Sequence, residues 1–287
     1  MILIIGANGI TGQAVIRKLV KKGAQVRALD IPAAQDHLRA LGAEPVVGDM
    51  RNVASLRAAM KGIRAVYHIP PRMQADELQL GKNSIEAAQA EGVRHFVYHS
   101  VIFPHLQEIA FHWEKMKVEV EVLHSGLPFT IIEPTNYMQN VGWSWNWIEE
   151  KGELIWPYAA EQPITWLDVN DLGEAVANIL TQQGHEGATY QLCSTEKPLT
   201  RHEMAEIISR VTGRAVRAVT MPLDEYMKLP RWQGRKPEEM ERLKTMFRHY
   251  DRQGFRCGNN KVLSMLLGHP ATSYEQFIRD FAGSLKK

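Results

Sequence analysis

The sequence predicts a doubly wound parallel α/β fold with a small, mainly helical C-terminal domain. The chain opens on an apolar run that leads directly into a glycine-rich turn, and strand-like apolar runs then alternate with helix-period segments as far as Glu133. Strand, helix and strand at this spacing require right-handed crossovers, which make neighbouring strands parallel. After Glu133 the alternation gives way to aromatic-rich, proline-punctuated sequence and separate helices, which indicates a second domain.

The elements follow in order along the chain. Strands are predicted at residues 1–5, 25–29, 44–47, 65–68, 95–99 and 129–133, and helices at 12–22, 34–41, 55–60, 78–90 and 115–124. Runs at 164–167 and 189–192 are predicted to return to the sheet. Thr200 and Glu203 form a capping box for one later helix, and Pro237 begins another, whose inner face carries Met240, Leu243, Phe247 and Tyr250. The larger domain is expected at 1–155, with 162–195 returning to it, and the smaller one at 196–287 with parts of 136–160.

Composition excludes several classes of protein. With 45% hydrophobic and 23% charged residues, the 287-residue chain is typical of a globular protein. Its 34 Lys and Arg against 32 Asp and Glu give a net charge of +2, so we expect neither nucleic acid nor a membrane as partner. Cys193 and Cys257 lie outside any C-x-x-C spacing, which predicts free thiols in a reducing, cytoplasmic environment and no metal site.

The glycine-rich turn is the strongest functional signal. Gly6, Gly9 and Gly12 recur at three-residue intervals between the first strand and the first helix. Gly6 allows the sharp turn, Gly9 lets a pyrophosphate approach the backbone, and Gly12 lets helix and strand pack closely. The helix N-terminus offers N–H groups to the phosphates, and Asn8 and Thr11 either add side-chain hydrogen bonds or only stabilise the turn. The motif predicts a dinucleotide site.

Acidic residues after the next two strands favour NAD over NADP. Asp30 ends the second strand, where a carboxylate accepts hydrogen bonds from the adenosine ribose and repels a 2′-phosphate. Strand alternation places Arg27 on the opposite face, so Arg27 does not offset that charge. Asp49 is predicted to contact the adenine amino group. Met50, the next residue, is a further predicted cofactor contact. The alternative for each aspartate is a plain turn residue, and NADP stays the alternative cofactor.

Several motifs together resemble the NmrA-like branch of the atypical short-chain dehydrogenases/reductases. They are the glycine motif at 6–12, the Gly48-Asp49 turn, Asn83 with the run 86–97, the runs 125–130 and 136–140, and the stretches 200–211, 249–251 and 266–270. The resemblance extends over nearly the whole chain. It implies a Rossmann domain that binds NAD or NADP, with a small C-terminal domain closing a cleft over the nicotinamide.

The resemblance leaves the reaction open. Members of the family include reductases of quinones, azo dyes, triphenylmethane dyes and phenylpropanoids, and also catalytically silent redox sensors that bind regulatory proteins. Two departures from family patterns matter here. NADP-binding relatives often carry Arg where this chain has Ile31, which supports NAD, and the Tyr-x-x-x-Lys pair of ordinary short-chain dehydrogenases is absent.

Lys115 is the catalytic candidate that the resemblance implies. It lies eleven residues before Gly126, where phenylpropanoid-type relatives place their catalytic lysine, and it opens the predicted helix. Such a lysine either holds the nicotinamide ribose or donates a proton to the substrate. The alternatives are a solvated surface lysine, or a shift of the role to Lys117. His112 is expected beside Lys115 at the entrance as a proton donor or acceptor, unless it is a polar loop histidine.

Further contacts are expected at the carboxyl edge of the sheet and in an aromatic wall. The remaining predicted cofactor contacts are Ile10, Ile69, Pro70, Pro71 and Ser100, the last four because they follow the fourth and fifth strands. The predicted substrate-binding residues are Phe103, Tyr137, Asn140, Trp143 and Trp147, with Trp145 and Trp156 as further parts of a slot for a flat molecule. The alternative for these aromatic residues is buried core.

The sequence therefore predicts an NAD(P)H-dependent oxidoreductase that reduces a small aromatic or quinone-like substrate. The cofactor supplies hydride, while the protein orients the acceptor and stabilises the charge that develops on it. The competing hypothesis is a non-catalytic sensor of NAD redox state that acts through a protein partner. A protein partner or a homodimer is compatible with both hypotheses.

Overall fold

A seven-stranded parallel sheet forms the framework of the molecule. This computed structural model describes residues 1–285. The strands are β1 (Ile2–Ile5), β2 (Val26–Asp30), β3 (Glu44–Val47), β4 (Ala65–His68), β5 (His95–His99), β6 (Phe129–Pro134), β7 (Asn136–Tyr137), β8 (Glu153–Trp156), β9 (Trp166–Leu167), β10 (Ala188–Leu192) and β11 (Arg217–Thr220). The main sheet has the order β10-β6-β5-β4-β1-β2-β3, and all its neighbouring strands are parallel. The predicted fold class is confirmed.

Helices connect these strands and form much of the C-terminal half. They are α1 (Ile10–Lys21), α2 (Gln35–Ala40), α3 (Val53–Met60), α4 (Glu77–Ala90), α5 (Ala110–His124), α6 (Trp145–Lys151), α7 (Val169–Thr181), α8 (Arg201–Thr212), α9 (Leu223–Tyr226), α10 (Pro237–Gln253), α11 (Lys261–Leu267) and α12 (Tyr274–Ser284). The capping box at the start of α8 is confirmed. Thr200 Oγ1 accepts from the Glu203 N–H at 3.2 Å, and the Glu203 carboxylate accepts from the Thr200 N–H at 2.8 Å.

The strand order reverses between β1 and β4. From β1 the chain adds β2 and then β3 on one side, and it returns with β4 to the other side of β1. The crossovers therefore diverge above the carboxyl ends of β1 and β4, and ligands of open α/β sheets bind in the crevice at such a point. In the register of the sheet, the last residues Ile5 and His68 lie side by side.

Apolar side chains between the sheet and α3, α4 and α5 form a continuous core. Those of the strands include Leu3, Ile5, Leu29, Val66, Phe96 and Ile131, and those of the helices include Leu56, Met60, Ile85, Val118 and Val122. Strands of a parallel sheet are covered on both faces, which explains why they read as nearly continuous apolar runs. This rigid layer fixes the positions from which the loops at the carboxyl edge extend.

The described chain divides into two compact units. The first comprises residues 1–134, 169–192 and 265–268 and contains the seven-stranded sheet. The second comprises 135–168, 193–264 and the described residues from His269 onward. The predicted domain boundaries, 1–155 with 162–195 and 196–287 with parts of 136–160, stay predictions about folding domains.

The second unit has two small parallel sheets among its helices. Strand β7 pairs with β9, and β8 pairs with β11. The buried side chain of Arg201 joins the latter pair, because its Nη1 donates to the carbonyl oxygens of Trp156 at 2.8 Å and Val219 at 2.7 Å. The second unit is therefore less purely helical than predicted.

Two predictions about elements are wrong. The run at 164–167 does not return to the main sheet, because β9 pairs with β7 and Ile164 bridges to Leu199 and Phe255. Periodicity indicates a strand but not its partner. The helix predicted at 115–124 begins at Ala110 instead, after Ile109, which provides no side-chain cap and hence no start signal. The run at 189–192 does join the main sheet, as part of β10.

Within residues 1–285, no helix combines the length and the apolar character needed to span a membrane.

Candidate active site

The glycine-rich loop between β1 and α1 lies against the chain that leaves β4. Gly6 has a φ of +75°, a conformation that favours glycine, and a Cβ there would lie 2.4 Å from the carbonyl oxygen of Ile69. A Cβ on Gly12 would lie 2.5 Å from the carbonyl oxygen of Ala7. Both glycines are therefore required by the packing of the protein itself. The predicted contact residue Ile69 lies at the glycine-rich loop.

Gly9 has no comparable role in packing. A Cβ at this exposed residue would meet the carbonyl oxygen of Gly6 at 3.5 Å, which is an ordinary contact. Gly9 is the N-cap of α1, and the buried Thr11 lies in its first turn. Since the first N–H groups of a helix have no acceptor within the helix, an open backbone beside them leaves room for an anionic group. The residues present fit the pyrophosphate of a dinucleotide.

Asp30 holds the glycine-rich loop in place. Its Oδ2 accepts a hydrogen bond from the Asn8 N–H at 2.8 Å, and its Oδ1 accepts one from the Ile31 N–H at 2.9 Å. Beside it, Ile31 is 59% exposed and Ile10 is 53% exposed. Large apolar side chains left in solvent next to a polar loop are suited to the faces of a ligand base. The ribose contact of Asp30 stays a prediction, and the carboxylate in addition stabilises the loop.

Asp49 and Met50 form a turn after β3. The Oδ1 of the exposed Asp49 accepts from the Arg51 N–H at 2.9 Å. The carbonyl oxygen of Met50 accepts from Nδ2 of Asn83 at 3.0 Å, which anchors the turn to α4. The adenine contact of Asp49 and the cofactor contact of Met50 stay predictions.

Strained backbone occurs in the loops that follow β4 and β5. Within residues 1–285, the non-glycine residues with a positive φ are Met73, at 62°, and Phe103, at 54°. Met73 follows Pro70, which is buried, and Pro71, which is exposed. Strain of this kind costs about 1–3 kcal/mol per residue and is concentrated at functional sites. Both strained residues lie beyond the carboxyl ends of central strands.

His112 points into the protein. It is 1% exposed, and its Nδ1 lies 3.1 Å from the carbonyl oxygen of Phe103. The expectation that His112 stands at an entrance is therefore wrong, because α5 begins early enough to place this residue on the buried side of its first turn. His112 supports the strained turn at Phe103, and its role in proton transfer stays a prediction.

Lys115 forms a buried ion pair. Its Nζ lies 2.7 Å from Oε1 of Glu77 and 3.1 Å from the carbonyl oxygen of His99, at the end of β5. The hydroxyl of Tyr98 donates to the same Glu77 oxygen at 3.0 Å. Glu77 is 1% exposed and Lys115 is 9% exposed. The alternative of a solvated surface lysine is therefore wrong for Lys115.

Lys117 lies on the outer side of the same helix. Its side chain is 37% exposed and pairs with Glu114 at 2.7 Å. The pair is partly exposed and joins residues three positions apart on one helix, so it contributes little to stability. Lys117 therefore serves as a matched control for Lys115.

Two buried histidines beside the ion pair stay neutral. Burial, followed by the charge of Lys115, lowers the pKa of His68 to about 3. Burial, again followed by the charge of Lys115, holds the pKa of His99 well below its usual range. His68 Nδ1 lies 3.1 Å from Ser84 Oγ, and His99 Nδ1 lies 2.5 Å from the Tyr67 hydroxyl. At neutral pH the two imidazoles therefore add no charge to the ion pair.

Ser100 contacts a second buried acid. Its hydroxyl donates to Oε1 of Glu119, and the two residues are 1% and 6% exposed. Glu119 follows Lys115 by four residues on α5. Burial raises the pKa of Glu119 to about 7, with a smaller increase from Glu133 and opposing decreases from the Ser100 hydrogen bond and Lys115. Close to neutral pH, the Glu119 carboxyl is therefore divided between its two protonation states.

The predicted substrate-binding residues, apart from Phe103, lie in the second unit. Tyr137, Asn140, Trp143 and Trp147 are all partly exposed. The Trp143 ring meets that of Trp232 at 5.8 Å between centroids, and Lys151 Nζ lies 4.3 Å from the centre of the Trp147 ring. Their contact with substrate stays a prediction.

Two other tryptophans of the expected slot are core residues. Trp145 is 7% exposed and packs edge-on against Phe281. Trp156 is 2% exposed and stacks between Tyr158 and Trp166. For these two, the alternative of buried core is right.

Sequence reasoning missed two acids of the buried cluster. Glu119 had a detectable signal, since it is four residues after Lys115 and so shares its face of a helix. Glu77 had none, because an acid in the first turn of a helix is common for electrostatic reasons alone.

Among residues 1–285, no group of three or more His, Cys, Asp or Glu side chains is arranged to hold a metal ion. The histidines of β5 have other contacts, with His95 Nε2 lying 2.8 Å from Thr130 Oγ1. Both cysteines are free and buried.

Comparison with known proteins identifies relatives along the whole chain. An NAD(P)H azoreductase of Xenophilus azovorans is 28% identical over 287 residues, which cover 99% of each chain. Quinone oxidoreductase 2 of Escherichia coli strain K12 is 25% identical over 281 residues, 97% of each chain. Among solved structures, the triphenylmethane reductase of Citrobacter sp. complexed with NADP(H) superposes with a TM-score of 0.84 at 24% identity, covering 98% of this chain and 99% of that one.

The family assignment rests on the match to a family profile. Residues 1–268 match the profile of the NmrA-like family. This span includes the glycine-rich loop, the buried Lys115 and the sheet that positions them. The chain therefore belongs to the NmrA-like family.

Proposed function

We propose that the protein is an NAD(P)H-dependent reductase of small aromatic or quinone-like molecules. The observation that carries the proposal is the open backbone at Gly9, beside the N-terminus of α1 and at the reversal of strand order, in a chain with full-length relatives that are named as reductases. A bound NAD(P)H would supply the hydride for the reduction. The relatives support this reaction class, which the sequence also predicts.

The cofactor-binding role falls to the loops at the carboxyl edge. Gly9 leaves the space for the pyrophosphate, and the first turn of α1 provides N–H donors. Asp30, at the end of β2, is the proposed contact of the adenosine ribose, and its charge is the reason for proposing NAD over NADP. The loops at 69–71 and 49–50 complete the set of proposed contacts.

Lys115 is the proposed catalytic residue of the cluster. The ion pair with Glu77 and the contact to the His99 carbonyl oxygen hold its Nζ at the carboxyl end of β5. A fixed positive charge there can bind the ribose hydroxyls or stabilise the negative charge that develops on the acceptor, without reorganising in the reaction. Phe103, Tyr137, Asn140, Trp143 and Trp147 are proposed to contact the acceptor.

A screen of cofactor oxidation tests the proposal. NADH and NADPH would be mixed with the protein and with quinones, azo dyes and triphenylmethane dyes, and the loss of reduced cofactor followed by absorbance. We expect turnover with at least one acceptor class and loss of that turnover in Gly9→Val. Cofactor binding without turnover for any acceptor would contradict the reductase and favour the sensor.

The proposed function also indicates a cellular location and binding partners for the protein. A chain with two free thiols fits the cytoplasm, where thiols stay reduced. We propose this location, a small-molecule substrate as the principal partner, and either a homodimer or a protein partner as a further association.

A further inference from the structure

A hydride transfer to a quinone or an azo bond also requires a proton. We propose that Glu119 is the proton reservoir of the reduction and that the Ser100 hydroxyl passes its proton to the acceptor. This inference rests on the proposed reductase function. It assigns a role to two residues that lie 19 positions apart in sequence and meet through one hydrogen bond.

The contact between Ser100 and Glu119 has the chemistry of a relay. A hydroxyl both donates and accepts hydrogen bonds, so it can receive a proton from a carboxyl and release its own in one concerted step. Ser100 follows the last residue of β5, and its N–H donates to the carbonyl oxygen of Ile132 at 2.8 Å. The backbone of Ser100 is thus fixed at the carboxyl edge of the sheet, where open α/β sheets bind their ligands.

Glu119 has the surroundings of an acid that keeps its proton. It is buried, and within residues 1–285 it has no ion-pair partner closer than 4 Å. A buried carboxylate without a cation in contact is costly, so the neutral carboxyl is favoured.

The charged groups around Glu119 tune that preference. From its own helix Lys115 opposes protonation, and from β6 the buried Glu133 favours it. On the neighbouring helix α4, Glu77 is paired with Lys115, and Lys82 is paired with Glu121 at 3.1 Å. The Glu133 carboxylate in turn accepts a hydrogen bond from Gln191 Nε2 at 2.9 Å. Burial raises the pKa of Glu133, while this hydrogen bond and the charge of His105 act to lower it.

The step conserves atoms and charge. The hydride of NAD(P)H, supplied by the proposed activity, brings the electron pair to the acceptor. The Ser100 O–H bond breaks as a new O–H or N–H bond forms on the acceptor. The Glu119 O–H bond breaks as the Ser100 O–H bond forms again, and the carboxylate that remains takes a proton from water.

Infrared titration of the ligand-free protein tests the reservoir without turnover. The carbonyl band of a buried protonated carboxyl should disappear with a midpoint near pH 7 in the wild type. The band should persist in the control Glu121→Gln, which changes a partly exposed acid of the same helix, and be absent from Glu119→Gln. Glu133→Gln should lower the midpoint, because the Glu133 charge raises the pKa of Glu119. A Glu119 band that does not titrate between about pH 6 and about pH 8 would overturn the proposal.

The pH dependence of turnover tests the relay. With a water-soluble benzoquinone as acceptor, wild-type kcat should fall above about pH 7, since the Glu119 carboxyl is then deprotonated. Glu119→Gln and Ser100→Ala should lower kcat by about 10²-fold and abolish this decrease at high pH. In Glu119→Gln, the Kd for NADH should change by less than about twofold. Glu119→Asp should restore part of the pH dependence of kcat.

The outcomes separate the relay from the reductase. If kcat of Glu119→Gln has the same pH dependence as kcat of the wild type, the relay is wrong but the reductase function is not affected. No turnover by the wild type with any acceptor would overturn the reductase, and the relay with it, whatever the infrared band shows.

Discussion

Gly9 is the residue at which ligand binding can be separated from folding. Gly9→Ala adds a methyl group that the protein itself accommodates, because its nearest contact is at 3.5 Å. The same group occupies the space through which the pyrophosphate approaches. We expect the Kd for NADH in calorimetry to rise by at least about tenfold, with an unchanged melting temperature.

Gly12→Ala is the contrasting control. Its Cβ would lie 2.5 Å from a carbonyl oxygen, so this variant should lose stability as well as binding. Native affinity in Gly9→Ala would contradict the assignment of the phosphate site.

Lys115→Met should lower turnover by about 10²- to 10⁴-fold, because a fixed charge or proton donor at the reacting centre is removed. The change also leaves Glu77 buried without its cation, which costs about 3–5 kcal/mol. Turnover should therefore be measured well below the melting temperature of the variant.

Two further variants isolate the effect of Lys115. The double change Lys115→Met and Glu77→Gln removes the unpaired charge and should regain stability but not turnover. Lys117→Met, on the exposed side of α5, should change turnover by less than about twofold. Full turnover in the double variant would show that Lys115 has only a structural role.

Asp30→Ala should narrow the preference for NAD over NADP, because a carboxylate at this position repels the 2′-phosphate. Affinity for both cofactors should fall, since the Asn8 N–H also loses its acceptor. The ratio of the two Kd values, measured by fluorescence titration, is therefore the informative quantity. We expect this ratio to change by about tenfold.

Asp36→Ala is the matched control, because Asp36 pairs with Arg39 on the surface and its side chain is 98% exposed. This variant should leave the Kd ratio as it is in the wild type. A wild-type preference for NADP would show that basic side chains at this edge outweigh Asp30.

The pair of helices α1 and α7 depends on close approach at a glycine. A Cβ on Gly173 would lie 2.8 Å from the carbonyl carbon of Ala14 in α1. Gly173→Ala should therefore force the helices apart and destabilise the protein by about 1–3 kcal/mol in urea unfolding. Because the proposed phosphate-binding turn leads directly into α1, NADH affinity should fall in the same variant.

Gly283→Ala provides a control in another helix. A Cβ there would meet nothing within 4 Å, so the substitution should be neutral or stabilise α12 by up to about 1 kcal/mol. Equal stability of Gly173→Ala and the wild type would contradict the tight packing of α1 and α7.

At the level of elements, sequence patterns predicted the strands well and the start of α5 poorly. Strands at 44–47, 65–68 and 95–99 agree with β3, β4 and β5 at both ends. For β4 and β5 the reason is that buried parallel strands are short apolar runs between polar turns. Helix α5 lacks a capping side chain, and its first turn is ordered by the contact of His112 with the Phe103 carbonyl. Such a contact leaves no local sequence signal.

For the whole molecule, the raised pKa of Glu119 predicts a pH-dependent stability. A carboxyl that binds its proton more tightly in the folded state stabilises the fold below its unfolded pKa of about 4.5, and this contribution is lost as pH rises through about 7. Glu119→Gln lacks the titration. Relative to the wild type, it should therefore gain about 2 kcal/mol in unfolding free energy between about pH 5 and about pH 8.

Comparing the unfolding free energies of Glu119→Gln and the wild type at each pH cancels the contributions of the histidines and other titrating groups. The unfolding free energy of Glu121→Gln should follow that of the wild type across the range, since Glu121 is partly exposed and pairs with Lys82. Parallel stability curves for Glu119→Gln and the wild type would show that the buried carboxyl does not titrate near neutrality.

The parallel fold, the glycine-rich loop and the family could all be inferred from the sequence, because strand periodicity and glycine spacing are local patterns. The role of Lys115 and the pairing of Ser100 with Glu119 depend on three-dimensional contacts. Glu77 and Lys115 are 38 residues apart and belong to different helices, which the sheet brings side by side. Burial of these groups, which governs their charge and their reactivity, arises from the packed core and is not a property of any single segment.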